Sequence, residues 1–187
     1  MSDQQGPFDF ETVMLPYLDD VYSLARWMMR NDADADDVAQ EAITRALKYF
    51  GTFKGTNARA WILQIVRNVA YRALRKRREG INVVPLDQDL SPNGSDFRID
   101  TSLVDPPSDA EAEMVRIQDM KLIDAALTRL PDDLLECIVL FEVNGCSYKE
   151  IAAITGTPIG TVMSRLWRAR KKLAELVASL GENGVPT

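Results

Sequence analysis

A cluster of aspartates in the stretch NDADADD is the part of the sequence whose side chains could support catalysis or metal binding. The cluster consists of Asp32, Asp34, Asp36 and Asp37. Clustered carboxylates can bind magnesium, but no glycine-bearing calcium loop and no phosphate-cradling glycine motif accompanies them. They also fit a helix start, with Asp34 as the N-cap and negative charge at the positive end of the helix dipole. We favour the helix start.

The sequence contains no histidine, which removes several kinds of catalytic site. Without histidine there is no Ser-His or Cys-His nucleophile pair, and the usual proton shuttle and zinc ligand at neutral pH is missing. Cys137 and Cys146 make no disulfide framework and fit no metal-binding spacing, so we expect two reduced, partly buried thiols. We predict a protein that is not an enzyme and that needs neither a metal nor another cofactor.

The composition is typical of a globular protein that stays in the cytosol. The chain has 187 residues, of which 46% are hydrophobic and 27% charged, and this length suits one or two domains. It contains no stretch of about eighteen uncharged apolar residues. Its start, MSDQQGPFDFET, is acidic and polar, whereas a secretory signal is basic and then apolar. We therefore expect cytoplasmic localisation and no insertion into a membrane.

Charge is unevenly distributed along the chain, although the net charge is only −6. Residues 54–78 carry eight basic side chains and no acidic one, and residues 145–172 carry six basic side chains. Between residues 81 and 137 acidic side chains outnumber basic ones by thirteen to four. An acidic chain with two concentrated basic segments is suited to meet a polyanion at chosen faces. The pattern favours nucleic acid as the partner.

Hydrophobic periodicity predicts an all-α fold with two small helical domains. Apolar residues recur at helical spacing from residue 8 to residue 79, and helices resume at about residue 111. The stretch 80–110 between them is rich in Pro, Asp, Ser and Gly. We assign the two domains to residues 8–79 and 119–177, joined by an extended acidic linker over residues 80–118.

The helix predicted over residues 34–50 has an apolar face and a polar face. The positions predicted to be buried are Ala39, Ile43, Ala46, Leu47 and Phe50. The polar positions are Asp37, Gln40, Glu41, Thr44, Arg45 and Lys48. The polar face could be solvated surface or a docking face for a partner, and periodicity alone favours solvated surface.

The helix predicted over residues 58–78 combines cationic, amide and aromatic side chains on one face. Its buried stripe comprises Ile62, Ile65, Val66, Val69 and Ala73. The other side, within about 100°, comprises Gln64, Arg67, Asn68, Tyr71, Arg75 and Arg78. Arginines can bind phosphates, Tyr71 and the nearby Trp61 can stack on unpaired bases, and Asn68 can hydrogen-bond a base edge. These properties favour single-stranded nucleic acid over a merely solvated helix or one lying on acidic lipid, since no large apolar face is available for lipid.

The segment GCSYKEIAAITGTPIGTVMSRLWRARKK, residues 145–172, predicts two helices joined by a tight turn. Ser147 and Glu150 have the spacing of a capping box, and Gly156 allows the left-handed turn that ends the first helix. Thr157 and Pro158 are expected at the N-cap and the first position of the second helix. Two helices joined in this way form a helix-turn-helix.

The second helix of this segment has an outward face suited to the major groove of DNA. Its buried stripe is predicted to comprise Ile159, Val162, Leu166, Ala169 and Leu173. The outward face comprises Thr161, Ser164, Arg168 and Lys171, flanked by Arg165 and Trp167. Hydroxyls and arginine can contact base edges, and the further cations can contact phosphates. The alternative is an amphipathic hairpin with a basic surface, but the cap, glycine, proline and outward chemistry all favour the helix-turn-helix.

Two segments resemble conserved regions of bacterial sigma factors. The stretch DADADDVAQEAITRALKYFGTFKGTNARAWILQIVRNVAYRALRKRR is similar to their second conserved region, and LPDDLLECIVLFEVNGCSYKEIAAITGTPIGTVMSRLWRARKKL is similar to their fourth. With only a linker between these two regions, the chain resembles the compact extracytoplasmic-function (ECF) subgroup of the sigma-70 family. The likeness covers most of residues 10–175.

The resemblance implies a sigma factor that binds core RNA polymerase, recognises the −35 and −10 promoter elements, melts the −10 region and directs transcription initiation. The residues implied to contact the polymerase are Asp37, Gln40, Glu41 and Arg45. Those implied to open and hold the −10 element are Arg59, Trp61, Arg67, Asn68, Tyr71, Arg72 and Arg75. Those implied to recognise the −35 element as duplex are Thr161, Ser164, Arg165, Trp167, Arg168 and Lys171. Met163 departs from the basic residue that many relatives carry there.

The implied partners are the β′ coiled coil and the β flap of core RNA polymerase, promoter DNA and an anti-sigma factor. Two alternatives from other functional classes remain open. A helix-turn-helix transcriptional activator would share the segment KEIAAI but would need a sensor or receiver domain in place of the basic aromatic helix. A sigma-mimicking protein that sequesters an anti-sigma factor would lose the DNA-facing arginines, which are present here. An enzyme that uses the aspartate cluster is a more distant third.

Overall fold

The computed structural model describes residues 9–81 and 110–183, and all the regular elements in these ranges are helical. The helices are α1 (Phe10–Met14), α2 (Leu18–Met29), α3 (Asp32–Tyr49), α4 (Ala58–Ile81), α5 (Ala110–Leu127), α6 (Asp132–Ile138), α7 (Tyr148–Thr155) and α8 (Ile159–Asn183). Short 3-10 turns follow α1 and α3, and a wider π turn over Val139–Val143 follows α6. The all-α fold class is confirmed. In the described ranges no helix is long and apolar enough to span a bilayer.

Helices α1 to α4 form an N-terminal bundle in which α2, α3 and α4 pack against one another. The inner stripe of α3 consists of small residues, Ala35, Ala39, Ala42 and Ala46, all of them buried. Small side chains let neighbouring helices approach closely, so α2 and α4 supply the larger core residues, such as Leu24 and Leu63. Leu47 follows Ala46 by about 100° of helix rotation and is 59% exposed. The prediction that Leu47 is a core residue is therefore wrong.

The start of α3 differs by one turn from the sequence-based prediction. Asn31, not Asp34, is the N-cap, and its side-chain oxygen accepts a hydrogen bond from the backbone N–H of Asp34 at 3.0 Å. Asp32 forms an ion pair with Arg26, and Asp34 forms one with Arg77. Two of the clustered aspartates are thus partners of arginines. Within residues 9–81 and 110–183, no group of three or more His, Cys, Asp or Glu side chains is arranged to hold a metal ion.

Helices α5 to α8 form a C-terminal bundle in which α8 packs on α5, α6 and α7. The Ser147 side chain accepts from the Glu150 backbone N–H while the Glu150 carboxylate accepts from the Ser147 backbone, so the capping box at the start of α7 is confirmed. Gly156 ends α7 with a φ of 66°, in the left-handed region predicted for it. Helices α7 and α8 thus form the predicted helix-turn-helix.

The start of α8 also differs slightly from expectation. The Pro158 carbonyl accepts from the backbone of Val162, which makes Pro158 the N-cap in place of Thr157. Ile159 is the first residue of α8 and is 42% exposed, because it adjoins the exposed turn that contains Pro158. The prediction that Ile159 belongs to the buried stripe is wrong. Val162, Leu166 and Ala169 are buried as predicted, and Leu173 is half-buried.

The two bundles pack against each other and share one continuous hydrophobic core. Helix α4 packs on α7, and α2 packs on α6 and the π turn. Arg30, which ends α2 with a left-handed φ of 57°, donates to the Leu130 carbonyl at 2.9 Å and pairs with Asp132 at 3.4 Å. Asn144, buried beside the π turn, donates to the carboxylate of Asp20 at 3.0 Å.

Most of the predicted linker lies outside the described residues. Helix α4 continues to Ile81, and α5 begins at Ala110, so a helix occupies residues 110–118 of the range predicted to be extended. The domain boundaries at residues 8–79 and 119–177 remain a prediction.

Both cysteines are unpaired and buried, and burial raises the pKa of each thiol to about 11. Raising the pKa by about two units lowers the reactive thiolate fraction about a hundredfold near pH 8. We therefore expect iodoacetamide to label the native protein at least about tenfold more slowly than the same chain in urea. Mass spectrometry of timed samples would measure both rates. Equal rates in the native and unfolded chain would contradict the buried placement of the thiols.

Candidate nucleic-acid interface

The basic aromatic face of α4 is divided into two adjoining stripes. We call Gln64, Arg67, Tyr71 and Arg78 the covered stripe, because each of them bonds to the C-terminal bundle. We call Trp61, Asn68, Arg72 and Arg75 the open stripe. Asn68, Arg72 and Arg75 are exposed and Trp61 is half-buried. The sequence places these side chains on one side of α4. In the structure they fall into two groups, one that contacts the C-terminal bundle and one that does not.

Glu136 of α6 is the centre of the contacts to the covered stripe. Its side chain has no exposed surface, and its two carboxylate oxygens accept from Arg67 Nε and from the Tyr71 hydroxyl, the latter at 3.0 Å. The Arg67 guanidinium also lies over the Tyr71 ring, 4.7 Å from its centroid. Burial raises the pKa of the Glu136 carboxyl, although the charge of Arg67 opposes this shift. Burial and the Glu136 carboxylate raise the pKa of Tyr71, so its hydroxyl stays protonated and donates.

Three further contacts extend this interface along α4 and the residue just before it. Arg78 pairs with Asp132 at 2.6 Å near the C-terminal end of the helix. Gln64 donates to the Ala153 carbonyl at 3.4 Å, and the Asn57 side chain, just before α4, donates to Glu150 at 3.1 Å. The covered stripe thus meets α6 at one end and α7 at the other.

Trp61 belongs to an aromatic cluster in the N-terminal bundle. Its ring centroid lies 5.3 Å from that of Phe53 and 6.4 Å from that of Phe50. Arg59, two residues earlier in the same turn of α4, forms a two-point ion pair with Asp20, with distances of 2.8 and 3.2 Å. Trp61 is therefore fixed in position by aromatic neighbours and remains partly accessible, whereas Arg59 has an acidic partner in its own bundle.

Helix α8 presents the predicted outward face, with one exception. Ser164, Trp167, Arg168 and Lys171 are exposed, and Thr161 is half-buried. The ammonium group of Lys171 lies over the Trp167 ring at 5.6 Å, and Arg168 Nε donates to the Ser164 carbonyl at 3.3 Å. Arg165 instead turns toward α6, where its Nε lies 3.5 Å from Asp133 and its side chain is only 19% exposed.

An exposed apolar row on the same helix was not foreseen from the sequence. Ile159, Met163 and Trp167 follow one another at intervals of four residues and are 42%, 54% and 64% exposed. Met163 stands beside Ser164 on the outward side of the helix-turn-helix. Because hydrophobic periodicity predicts Ile159 to be buried, it gives no signal for this row.

The polar face of α3 is open to solvent. Asp37, Gln40 and Glu41 are exposed, and Arg45 is half-buried and pairs with Glu41 at 2.5 Å, one helical turn away. The exposed Leu47 lies farther along the same helix. This part of α3 therefore presents acidic, amide and apolar side chains to solvent.

Glu136 and Asp132 were not among the predicted site residues. Glu136 could have been identified from its position in the apolar run LLECIVL, which predicts that its carboxylate is buried. A buried carboxylate needs a hydrogen-bond donor from elsewhere in the fold. The sequence does not indicate which donor that is, because Arg67 lies 69 residues away.

The sequence matches two family models and several known proteins over most of its length. Residues 14–79 match sigma-70 region 2, and residues 120–173 match sigma-70 region 4. The RNA polymerase sigma-H factor of Pseudomonas aeruginosa is 32% identical over 175 residues, covering 91% of this chain and 87% of the relative. The ECF RNA polymerase sigma-E factor of Haemophilus influenzae is 33% identical over 162 residues, covering 84% and 80%.

Solved structures resemble the fold as well. The sigma factor RpoE of Bartonella quintana, in complex with the anti-sigma factor NepR, superposes with a TM-score of 0.69 at 30% identity, covering 91% of this chain and 97% of that one. CnrH, in complex with the cytosolic domain of CnrY, gives a TM-score of 0.61 at 23% identity, covering 91% and 88%, a likeness of fold alone.

Proposed function

Because the chain belongs to the ECF group of the sigma-70 family and directs transcription initiation, we propose that α4 holds the opened −10 strand and α8 recognises the −35 duplex. The chain is not an enzyme, since a sigma factor leaves the formation of phosphodiester bonds to the polymerase. We infer that it acts in the cytoplasm, together with core RNA polymerase. The observation that carries the assignment is the presence of two separate cationic faces on an acidic chain, one on each bundle.

The −10 assignment rests on the chemistry of α4. Trp61 and Tyr71 offer rings on which an extruded base can stack, and stacking contributes about 1–3 kcal/mol per base. Asn68 can hydrogen-bond a base edge, while Arg67, Arg72 and Arg75 can contact phosphates. These contacts would offset a cost of a few kcal/mol for unstacking a base. Arg59 is assigned to the same site as a residue that positions the start of α4, because its guanidinium is held by Asp20.

The −35 assignment rests on the outward face of α8. The hydroxyls of Thr161 and Ser164 and the guanidinium of Arg168 lie where the second helix of a helix-turn-helix meets base edges. Lys171 and Trp167 lie farther along the helix and suit phosphate and sugar contacts. Arg165, which pairs with Asp133, would contribute by fixing α8 on α6 or, after breaking that pair, by contacting a phosphate.

Replacement of Arg168 by alanine tests the −35 assignment. A bidentate arginine–guanine contact contributes about 1–3 kcal/mol of discrimination, so we expect −35-dependent transcription to fall about 5- to 160-fold. Run-off transcription from promoters with intact and scrambled −35 elements would measure it. Arg170→Ala is the matched control on the same helix, since Arg170 pairs with Glu142 at 2.8 Å. Equal losses for the two variants would contradict a specific role for Arg168.

The protein partners follow from the exposed face of α3 and from the relatives. Asp37, Gln40, Glu41 and Arg45 are proposed to dock on the β′ coiled coil of core RNA polymerase, and the C-terminal bundle on the β flap. The complex of a 30% identical sigma factor with NepR supports the proposal that this chain also has an anti-sigma factor.

The proposal is tested by adding the purified chain to core polymerase and mapping transcription starts across genomic DNA. We expect initiation at a defined set of promoters that core enzyme alone does not use. A chain that binds core polymerase but directs initiation nowhere would contradict the function. The match of residues 14–79 to region 2 leaves no place in that range for the sensor domain of a helix-turn-helix activator. The exposed arginines of α8 likewise argue against a mimic that only sequesters an anti-sigma factor.

A further inference from the structure

The C-terminal bundle occupies part of the surface that is proposed to bind DNA. All four residues of the covered stripe bond to that bundle. Arg67 and Tyr71 are half-buried, whereas Gln64 and Arg78 keep exposed surface, as do Asn68, Arg72 and Arg75 of the open stripe. A DNA strand that binds the donors of Arg67 and Tyr71 would have to replace Glu136 of α6 as their partner. Strand binding by these two side chains and their pairing with Glu136 therefore exclude each other.

Glu136 presents anionic oxygen acceptors to α4, as a DNA phosphate does. Its anionic oxygens accept from the Arg67 guanidinium and from the Tyr71 hydroxyl, which are donors that also suit phosphate oxygens. Its neighbours in α6, Leu135, Cys137 and Ile138, are buried and apolar, so little in α6 itself compensates the buried charge. Arg165 adds a favourable charge from within its own bundle. The hydrogen bonds nevertheless come from the N-terminal bundle.

We propose that Glu136 is an internal competitor for the nucleic acid strand, a latch whose carboxylate holds Arg67 and Tyr71 until the two bundles separate. This inference rests on the proposed function of α4 and adds a means of regulating it. Asp132, paired with both Arg30 and Arg78, reinforces the same closed arrangement. The free chain is thereby kept from binding single strands, and a partner that separates the bundles releases the complete site.

Glu136→Gln tests the latch because it keeps the shape of the side chain and removes its charge. The apparent affinity equals the intrinsic affinity multiplied by the fraction of molecules in the binding-competent state. With a competent fraction of about one tenth, removal of the latch should tighten binding about tenfold. The probe is a short fluorescein-labelled oligo(dT), with anisotropy measured on the full chain at low salt. Glu142→Gln is the matched control, since it also removes one charge and frees an arginine, Arg170, away from α4. Circular dichroism verifies that both variants are folded.

We expect tighter binding for Glu136→Gln, no such change for Glu142→Gln, and loss of the gain when Arg67→Ala is added. Equal affinities of the two single variants would overturn the latch. A gain that persists without Arg67 would also overturn it, because the released arginine is the group proposed to bind phosphate.

A crosslink gives a second test that does not depend on a buried substitution. Gln64 and Ala153 are both exposed and in contact across the interface, so cysteines at these positions can be joined by a short bismaleimide while the native thiols stay buried. The crosslinked chain should bind oligo(dT) more weakly than the same variant capped with N-ethylmaleimide. Equal binding would overturn the proposal.

Transcription by the unmodified chain separates this inference from the proposed function. Promoter-specific initiation with core polymerase, together with no effect of Glu136→Gln or of the crosslink, would leave the function standing and remove the latch. Failure of initiation would remove the function, while a specific gain of oligo(dT) binding by Glu136→Gln would still support the competition.

Discussion

Reversing the charges of Asp37 and Glu41 to lysine is expected to abolish most binding to core RNA polymerase while leaving the protein folded. Both carboxylates are exposed on α3, so their loss removes no core contact. Truncating a central interface residue costs about 2–4 kcal/mol, and the like charges created by reversal add to this cost. We expect the dissociation constant for core polymerase to rise at least about a hundredfold, as measured by competition with an unlabelled reference sigma factor.

The matched control is the pair Glu11→Lys and Asp19→Lys. These side chains are also exposed, so the change in net charge is the same. They lie in the first turns of α1 and α2, whereas Asp37 and Glu41 lie beyond the first turn of α3, so thermal unfolding of both double variants is compared as well. Weak polymerase binding by both double variants would indicate that overall charge, and not the α3 face, sets the affinity.

Trp61→Ala is expected to slow promoter opening with little effect on duplex binding. Loss of one stacked base costs about 1–3 kcal/mol, which corresponds to about 5- to 160-fold fewer open complexes at equilibrium. Permanganate footprinting of the −10 region would measure opening, and a gel-shift assay of holoenzyme on duplex promoter would measure binding. Normal permanganate reactivity of the variant would remove Trp61 from the strand-opening site.

Because Trp61 packs on Phe50 and Phe53, the loss of a large aromatic side chain also lowers stability. Phe53→Ala is the control for this effect, since it disrupts the same cluster while leaving the indole in place. Equal opening defects in the two variants at equal thermal stability would mean that the cluster acts by packing and not through contact with a base.

Local features of the fold were predictable from the sequence because they depend on residues a few positions apart. The capping box of Ser147 and Glu150 is set by side chain–backbone hydrogen bonds within one turn. The left-handed Gly156 is set by the backbone of a single turn, and both features occur as predicted. The outward placement of Ser164 and Arg168 follows from helical spacing once Val162 and Leu166 are buried. The family resemblance rests on the same local patterns, and the matches to regions 2 and 4 confirm it.

Features that depend on distant residues were not predictable. Hydrophobicity suggested burial of Leu47 and Ile159, but burial also requires a neighbouring element on that side of the helix, which periodicity does not supply. The pairing of Arg67 with Glu136 joins two bundles through residues 69 positions apart. The inward turn of Arg165 toward Asp133 likewise depends on how α8 lies on α6. The individual roles of the predicted DNA and polymerase contacts remain proposals.

The left-handed Arg30 shows a conflict between backbone preference and side-chain chemistry. A glycine would adopt a φ near 57° without the crowding that a Cβ brings, and glycine is the usual residue after a helix end. Glycine, however, has no guanidinium to reach the Leu130 carbonyl and Asp132. Arg30 therefore holds a conformation that is unfavourable for a residue with a Cβ, and the end of α2 is thereby tied to the C-terminal bundle through Leu130 and Asp132.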